Sequence, residues 1–189
     1  MYRTRVGYTG GKKTSPSYYD LGDHTEAFQV DFDPNQISFE RLLEIFWDSH
    51  NPTRGSWSTQ YKAALWVHND QQARLAEISK EQIAKAKTGK WFNRKIQTEI
   101  MPASTFYLAE TYHQKYLLQN SPKLWGEIID IYRDPEDWIN STAAARLNGY
   151  VGGYGTMAQL EEEINGLGLP ETRQEDLRKI VERFNKYND

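Results

Sequence analysis

Residues 7–26 combine the side chains best suited to chemistry in this sequence. They contain a glycine turn, the adjacent tyrosines Tyr18 and Tyr19, and a glutamate, Glu26, at the entrance to an apolar strand. A carboxyl group on a buried face must either be paired or be kept partly protonated, because burial destabilises its charged form. Glu26 is therefore a candidate for proton chemistry if its side chain points inward. The tyrosines are ambiguous, because most of the twelve in the chain are expected to pack in the core and at its rim.

The strand pattern around Glu26 decides which way its side chain points. Phe28, Val30 and Phe32 alternate with other residues, which indicates a half-buried strand closed by a turn at residues 33–35. Counting back by two places Glu26 on the inward face with these three residues. The alternative is that Glu26 is the exposed first residue of the strand, because carboxylates are seldom buried.

The motifs of several other enzyme and binding-site classes are missing from the sequence. There is no cysteine, which excludes disulfides, thiolate metal sites and thiol nucleophiles. No Gly-x-Ser-x-Gly elbow of a serine hydrolase occurs. The glycine-rich residues 149–155 lack the lysine and the preceding strand of a phosphate loop, so we interpret them as a turn between helices. No histidine has a partner at metal-ligand spacing, so we expect no metal; the four are His24, His50, His68 and His113.

Length and composition point to one domain, or to one domain with an appendage. The chain has 189 residues, of which 38% are apolar and 13% aromatic, enough to fill one core. A net charge of -3 gives no basic excess, so nucleic acid is not an expected partner. The longest apolar run, residues 63–67, is far too short to cross a membrane, and residues 1–13 lack the apolar stretch of a secretion signal. We therefore expect a cytoplasmic protein without a membrane segment.

Periodicity and capping predict the elements that position the candidate residues. Ser38 is a suitable helix N-cap, Asn69 and Gln72 resemble a capping pair, and Thr172 with Glu175 resembles a capping box. The predicted helices cover residues 39–49, 69–87, 109–118, 124–132, 142–150, 157–164 and 172–187. The predicted strands cover residues 26–32, 62–68 and 96–101, after a strand that ends near residue 7.

The order of these elements divides the chain into two parts. Strands mixed with helices fill residues 1–120, and helical patterns alone fill residues 121–189. We therefore predict an α+β fold with an all-helical C-terminal extension. The apolar stripes of the extension are expected to pack on the α/β core, and the alternative is that they form a surface for other proteins.

Short sequence blocks in a fixed order carry a family resemblance. They are VGYTGG at residues 6–11, SPSY at 15–18, HTE at 24–26, FWDSHNP at 46–52, TQY at 59–61, TEI at 98–100, PA at 102–103, FYLAE at 106–110 and YHQKY at 112–116. In order and approximate spacing these blocks resemble the A-type peptide methionine sulfoxide reductases, which are specific for the S epimer. Residues 141–150, STAAARLNGY, look like a helical extension carried by one subgroup of that family.

The resemblance implies a fold, a reaction and partners. The fold of the family is a ferredoxin-like α/β plait. Its reaction, part of protein repair under oxidative stress, reduces methionine-S-sulfoxide to methionine: a cysteine thiolate attacks the sulfur while the departing oxygen is protonated. The resulting sulfenic acid is reduced by an external thiol, thioredoxin or dithiothreitol, so no cofactor is implied. The expected substrate is methionine sulfoxide in proteins or free, and we expect a monomer.

The resemblance also assigns roles to three residues. Glu26 matches the proton donor of the family, and Tyr18 and Tyr61 match the tyrosines whose hydroxyls hold the sulfoxide oxygen. These three are the expected catalytic and substrate-binding residues. An acid that acts near neutral pH must stay protonated, and an apolar pocket favours the protonated form by destabilising the carboxylate. The resemblance thus favours the inward position of Glu26 over the exposed one.

Two departures from the family pattern affect these expectations. The Gly-Cys-Phe-Trp segment, with the cysteine nucleophile and the aromatic substrate cage, precedes the glycine turn, and the chain begins at Met1, too late to include it. The chain as written is therefore predicted to be inactive and, without the first strand and helix of the plait, poorly stable. We favour a late start codon or an incomplete gene model over a genuinely shortened protein. The Gly-Asn-Asp segment of many members is also missing, since residues 52–59 contain no acidic residue.

A second hypothesis is a non-catalytic binding module for oxidised methionine or for a partner protein. It is motivated by the lack of cysteine together with the presence of the residues that match the oxygen-binding positions, Tyr18, Glu26 and Tyr61. A third hypothesis makes the helical extension the functional element, docking on other proteins.

Overall fold

The computed structural model describes residues 2–86 and 95–186 of the chain. Five strands lie in these residues: β1, Arg3–Thr9; β2, Thr25–Asp31; β3, Ala64–Val67; β4, Glu99–Pro102; and β5, Tyr107–Leu108. The same part of the chain has eight α-helices: α1, Phe39–Asp48; α2, Asp70–Ala86; α3, Tyr116–Gln119; α4, Pro122–Ile131; α5, Pro135–Asn140; α6, Thr142–Val151; α7, Met157–Glu163; and α8, Glu171–Asn185. Short 3-10 helices cover Thr59–Tyr61, Thr111–His113 and Ile164–Gly166. This order confirms the predicted α+β class with an all-helical C-terminal part.

Two of the predicted helix starts are each stabilised by a capping hydrogen bond. The Ser38 hydroxyl caps α1 by accepting a 3.1 Å hydrogen bond from the backbone N–H of Arg41, as predicted. The side chain of Asn69 accepts a 2.9 Å hydrogen bond from the backbone N–H of Gln72 at the start of α2. Lys87 and Tyr187, the predicted last residues of α2 and α8, lie outside the described residues.

The strands form two small sheets. β2, β1 and β5 lie side by side in one sheet, and β3 pairs with β4 in parallel. β1 and β5 are antiparallel, with Gly7 opposite Leu108 and Tyr8 opposite Tyr107. A side chain at Gly7 would collide with the carbonyl oxygen of Tyr107, which explains the glycine at this point of the VGYTGG block.

The chain divides into two compact units. Gly7–Phe28 and Phe32–Leu108 form one, here named the mixed unit, and Met1–Val6, Gln29–Asp31 and Ala109–Asp189 form the other, the helical unit. The predicted division at residue 120 remains a prediction. None of the described helices combines the length and the apolar composition that a membrane crossing needs.

The core of the mixed unit lies between its two helices and the parallel strands. Leu43 and Trp47 of α1 are buried together with Val67 of β3 and Ala76 of α2. The indole N–H of Trp47 donates a 2.9 Å hydrogen bond to the hydroxyl of Ser79, so the polar atom of this buried ring is satisfied.

The helical unit has its own, larger core. Its buried residues are Leu118, Leu124, Ile128, Trp138, Ile139, Ala144, Leu147, Tyr150, Leu160, Ile164, Leu167, Leu169, Leu177 and Val181. The predicted capping box of the last helix is wrong, because α8 begins at Glu171, before Thr172. Its N-cap is Pro170, whose ring has no atom that can accept a hydrogen bond. A capping box occurs instead on α7, between Thr156 and Gln159. The predicted glycine turn after α6 is present, with Gly153 at φ 83°.

The predicted helix over residues 109–118 is wrong. A 3-10 turn over Thr111–His113 and α3 replace it, and between them Lys115 has the left-handed φ of 48°. The Gln114 side chain accepts a 3.0 Å hydrogen bond from Val6 N–H and donates one of 2.8 Å to the Val6 carbonyl. The Lys115 ammonium donates to the carbonyls of Thr4 and Ile139. Both side chains are buried, so these bonds outweigh the local preference for a continuous helix.

Candidate functional site

The turn after β1 is held in the mixed unit by the residues that lead into β2. The Asp23 carboxylate accepts hydrogen bonds from the backbone N–H groups of Lys12, at 2.9 Å, and Lys13, at 3.2 Å. These bonds stabilise the charged carboxylate and lower the pKa of Asp23. A Cβ atom at Gly11 would collide with Asp23 and His24, so the glycine permits this close approach.

His24 is buried and has a structural role. Its Nδ1 accepts a 3.1 Å hydrogen bond from Gly11 N–H, and its Nε2 lies 2.7 Å from the carbonyl of Lys13. Because a carbonyl only accepts, these two bonds assign the proton to Nε2 and make His24 neutral. The ring also packs edge-on against Tyr107, with centroids 5.3 Å apart. His24 thus fixes the backbone immediately before Glu26.

Thr25 ties β2 to the segment that carries Tyr61. Its buried hydroxyl donates a 2.9 Å hydrogen bond to the carbonyl of Thr59, the first residue of a 3-10 helix. The Ser58 hydroxyl caps this helix by accepting a 3.1 Å hydrogen bond from Gln60 N–H. The side chains of residues 60 and 61 are therefore presented from a backbone that is anchored at the start of the 3-10 helix.

Glu26 lies at the surface, and the predicted inward face of β2 is wrong. The Phe28 side chain is 66% exposed, whereas Thr25, on the opposite face, is buried. Thr25 can be buried although it is polar, because its hydroxyl donates a hydrogen bond to the carbonyl of Thr59. Glu26 is exposed, so the predicted desolvation of its carboxyl group is not observed. Its Oε1 accepts a 2.7 Å hydrogen bond from the side-chain amide of Gln60.

Tyr61 lies beside both of the other residues that the sequence predicts for the site. Partial removal of its phenol from water is the first cause of a raised pKa, and the neighbouring Tyr18 and Glu26 raise the pKa of Tyr61 further. A side-chain hydrogen bond with Tyr18 contributes in the same direction. The structure therefore brings Tyr18, Glu26 and Tyr61 into one cluster, although they come from three different segments.

Sequence reasoning missed Gln60 and Trp57. Gln60 stands in the TQY block next to Tyr61, but nothing in the spacing indicates that its amide contacts Glu26. Trp57 lies in the segment that departs from the family pattern, and its ring centroid is 5.5 Å from that of Tyr61. A large aromatic residue in a loop rich in serine was the available signal.

The described residues contain no group of three or more histidine, aspartate or glutamate side chains that could hold a metal ion. The candidate site is therefore built from two phenols, one carboxyl group and one amide. Such a set can donate hydrogen bonds to a polar oxygen and can exchange a proton with it.

Comparison with protein-family models identifies the family of the chain. The family model described as peptide methionine sulfoxide reductase matches residues 1–138. The chain belongs to this family. A second model, described as the helical domain of selenoprotein methionine sulfoxide reductase A, matches residues 134–182. The C-terminal helices from α5 onward are thus similar to that helical domain.

Relatives of the chain carry the same family name. It is 36% identical over 176 residues to a peptide methionine sulfoxide reductase of Drosophila melanogaster, covering 93% of this chain and 69% of that protein. It is 41% identical over 129 residues to the enzyme MsrA of Saccharophagus degradans, covering 64% of this chain and 60% of that protein. Against peptide methionine sulfoxide reductase A5 of Oryza sativa it is 39% identical and covers 79% of this chain and 59% of the relative. The chain thus spans about three fifths to two thirds of the length of these reductases.

Two solved reductase structures share the fold. Methionine sulfoxide reductase A of Corynebacterium diphtheriae has a TM-score of 0.57 at 32% identity, covering 62% of this chain and 63% of that one. The reduced form of Mxr1 from Saccharomyces cerevisiae has a TM-score of 0.55 at 32% identity, covering 62% and 71%. These matches confirm the predicted membership of the reductase fold.

Proposed function

We propose that this chain carries the sulfoxide-binding part of a peptide-methionine (S)-S-oxide reductase. The observation that carries the proposal is the position of Tyr61, hydrogen bonded to Tyr18 and close enough to Glu26 for the carboxyl charge to raise its pKa. The raised pKa of Tyr61 extends the pH range over which its phenol stays protonated and able to donate a hydrogen bond. Two phenols and one carboxyl group in one cluster provide the hydrogen-bond donors and the proton that an S=O dipole needs when its oxygen leaves as water.

The proposed chemistry assigns one role to each side chain. Tyr18 and Tyr61 donate hydrogen bonds to the sulfoxide oxygen, and Glu26 gives it a proton as a thiolate attacks the sulfur. Gln60 occupies Oε1 of Glu26, which leaves Oε2 to carry that proton. In the complete reaction one sulfoxide and two thiols give one thioether, one disulfide and one water. The electrons come from an external thiol, for which we propose a thioredoxin-like protein.

The 189 residues contain no cysteine, so we propose that on their own they bind the sulfoxide without turning it over and that turnover needs an added thiolate. The proposed substrate is methionine-S-sulfoxide, free or in proteins, and the proposed role of the reductase is protein repair under oxidative stress. We further propose residues 1–120 as the reductase-like core and residues 121–189 as the helical extension. The cytoplasmic location and the monomeric state remain predictions.

The lack of cysteine favours one second candidate, a binding module that holds oxidised methionine without reducing it. The two candidates share the same site and differ in whether a thiolate ever reaches the bound sulfur. Fusing the Gly-Cys-Phe-Trp strand and helix of a family member upstream of the chain separates them. Turnover with dithiothreitol in the fusion supports the reductase, and retained sulfoxide binding without turnover supports the binding module.

Calorimetric titration tests the proposed site directly. The ligands are N-acetyl-methionine-S-sulfoxide methylamide and the corresponding thioether, which differ only in the sulfoxide oxygen. We expect the sulfoxide to bind more tightly than the thioether and Tyr61→Phe to reduce that preference. Tyr154→Phe, an exposed tyrosine of the helical unit, is the matched control and should bind like the parent chain. Equal, negligible affinity for both ligands would refute the proposal.

A further inference from the structure

Exposed aromatic side chains are linked to the Tyr18 and Tyr61 rings of the candidate site in the mixed unit. Tyr19 is 90% exposed, and its ring packs edge-on against Tyr18 at a centroid distance of 5.3 Å. Phe28 is exposed on the same face of β2 as Glu26, two residues further along. Exposed aromatic side chains that contact one another mark an interaction site more often than singly exposed ones do.

Trp57 is the largest member of this aromatic surface. It is 86% exposed, and it contacts Tyr61, which is itself 47% exposed. An indole presents a large rigid face at a low cost in conformational entropy, which suits it to recognition. Left in water, the same ring contributes little to the stability of its own fold.

The backbone around Trp57 is held by its neighbours. The Ser56 hydroxyl donates a 2.6 Å hydrogen bond to the Ser58 carbonyl and accepts one of 3.2 Å from the Ser58 N–H. Ser58 in turn caps the 3-10 helix that carries Tyr61. Trp57 is therefore pre-positioned beside Tyr61, and a ligand gains its contact without first ordering the loop.

The aromatic surface is larger than the sulfoxide group requires. In the proposed function, on which this inference rests, Tyr18, Glu26 and Tyr61 already surround the S=O dipole. Trp57 contacts the ring of Tyr61 but has no role in holding the S=O dipole, so its exposed face is available to the polypeptide that carries the oxidised methionine. We propose that Trp57 binds the side chain next to the oxidised methionine and makes the site prefer an apolar residue there. Trp57 thus selects polypeptide substrates with apolar flanks over free methionine sulfoxide.

Two blocked pentapeptides test this specificity. Each has a central methionine-S-sulfoxide, flanked in one peptide by phenylalanine on both sides and in the other by serine on both sides. We expect the parent chain to bind the phenylalanine peptide about three- to tenfold more tightly, as one aromatic pair would produce. Trp57→Ala should remove this preference, so that the phenylalanine and serine peptides bind with equal affinity. Trp57→Phe should retain most of it, and Tyr154→Ala in the helical unit is the exposed aromatic control.

The other possible results show whether the inference about Trp57 fails alone or together with the proposed function. If Trp57→Ala keeps the full preference, the inference is wrong while the proposed sulfoxide site stands. If the parent chain binds neither peptide, the proposed function fails and the inference with it. If sedimentation shows a concentration-dependent dimer that Trp57→Ala abolishes, the surface is a contact between copies of this chain, and the substrate role is refuted. Circular dichroism of each variant separates these results from unfolding.

Discussion

The side-chain amide of Gln60 donates a 2.7 Å hydrogen bond to the carboxylate of Glu26 and so joins a 3-10 helix to the start of β2. The two residues are 34 positions apart in the chain. This bond orients an exposed carboxyl group that would otherwise sample several rotamers. The bond engages Oε1 of Glu26, so in the proposed chemistry Oε2 is the oxygen that carries the proton.

Removing the Gln60 amide should weaken sulfoxide binding. Gln60→Ala loses the exposed hydrogen bond that positions the Glu26 carboxyl group, which corresponds to a loss of about 0.5–1.5 kcal/mol, or about two- to tenfold in affinity. The measurement is calorimetric titration with N-acetyl-methionine-S-sulfoxide methylamide. Gln36→Ala, an exposed glutamine of the same unit, is the control and should bind normally. Unchanged affinity in Gln60→Ala would mean that Glu26 needs no positioning.

The phenol of Tyr61 should titrate at higher pH than an ordinary tyrosine. Its pKa is raised from 10.0 by partial removal from water and by Tyr18 and Glu26, so it remains a donor at pH values where free tyrosine ionises. A raised folded-state pKa means that stability is retained below pH 10 and is lost as the pH rises through the folded value. The difference between the phenolate absorbance titrations of the parent chain and Tyr61→Phe gives this pKa. A midpoint at or below that of free tyrosine would contradict the cluster.

Thr25→Val should destabilise the chain and loosen the site. The change preserves volume but removes the hydrogen bond from the buried Thr25 hydroxyl to the Thr59 carbonyl. We expect a loss of about 1 kcal/mol in the free energy of unfolding, the net value of one such bond. Urea unfolding measures it, and Thr142→Val on the helical unit provides a threonine whose hydroxyl bond is exposed. Equal stability of Thr25→Val and the parent chain would show that this anchor is dispensable.

Lys115 should make the stability of the helical unit depend on pH. Burial, reinforced by the nearby Arg5, lowers its pKa from 10.5 to about 8. Below about pH 8 Lys115 is protonated in both the folded and the unfolded chain, so the folded chain bears the whole cost of a buried ammonium and this contribution to stability does not change with pH. Between about pH 8 and 10.5 the unfolded state binds more protons, so stability rises with pH, by about 3 kcal/mol in total.

Lys115→Met isolates this contribution because methionine cannot titrate. Chemical denaturation at several pH values should show the parent chain gaining stability over Lys115→Met as the pH rises from about 8 to 10.5. A constant difference across that range would show that the ammonium is not held in a desolvated position.

Local sequence patterns predict most of the helices and strands, but they do not predict the side-chain contacts that form the candidate site. The apolar stripe behind Ser38 predicted α1 because the same residues that make it amphipathic also pack against α2. The helix predicted over residues 109–118 is interrupted at Lys115, whose ammonium bonds to the carbonyls of Thr4 and Ile139. Both partners are distant in sequence, so local patterns do not reveal them. The periodicity of the ten residues 109–118 therefore cannot show where this helix is interrupted.

The faces of β2 show the same limit. Alternation correctly indicated a strand but placed Phe28 inside, since a period of two does not say which set of side chains is covered. Thr25 is buried because Thr59, from another segment, satisfies its hydroxyl. The grouping of Tyr18, Glu26 and Tyr61 followed only from the family resemblance, and the contact of Gln60 with Glu26 required coordinates.

The most direct test of the account is a crystal structure of the chain with N-acetyl-methionine-S-sulfoxide methylamide bound. The account predicts the sulfoxide oxygen within about 3 Å of the phenol oxygens of Tyr18 and Tyr61 and of a carboxyl oxygen of Glu26. A ligand bound elsewhere, or bound here with its oxygen turned away from both phenols, would contradict it.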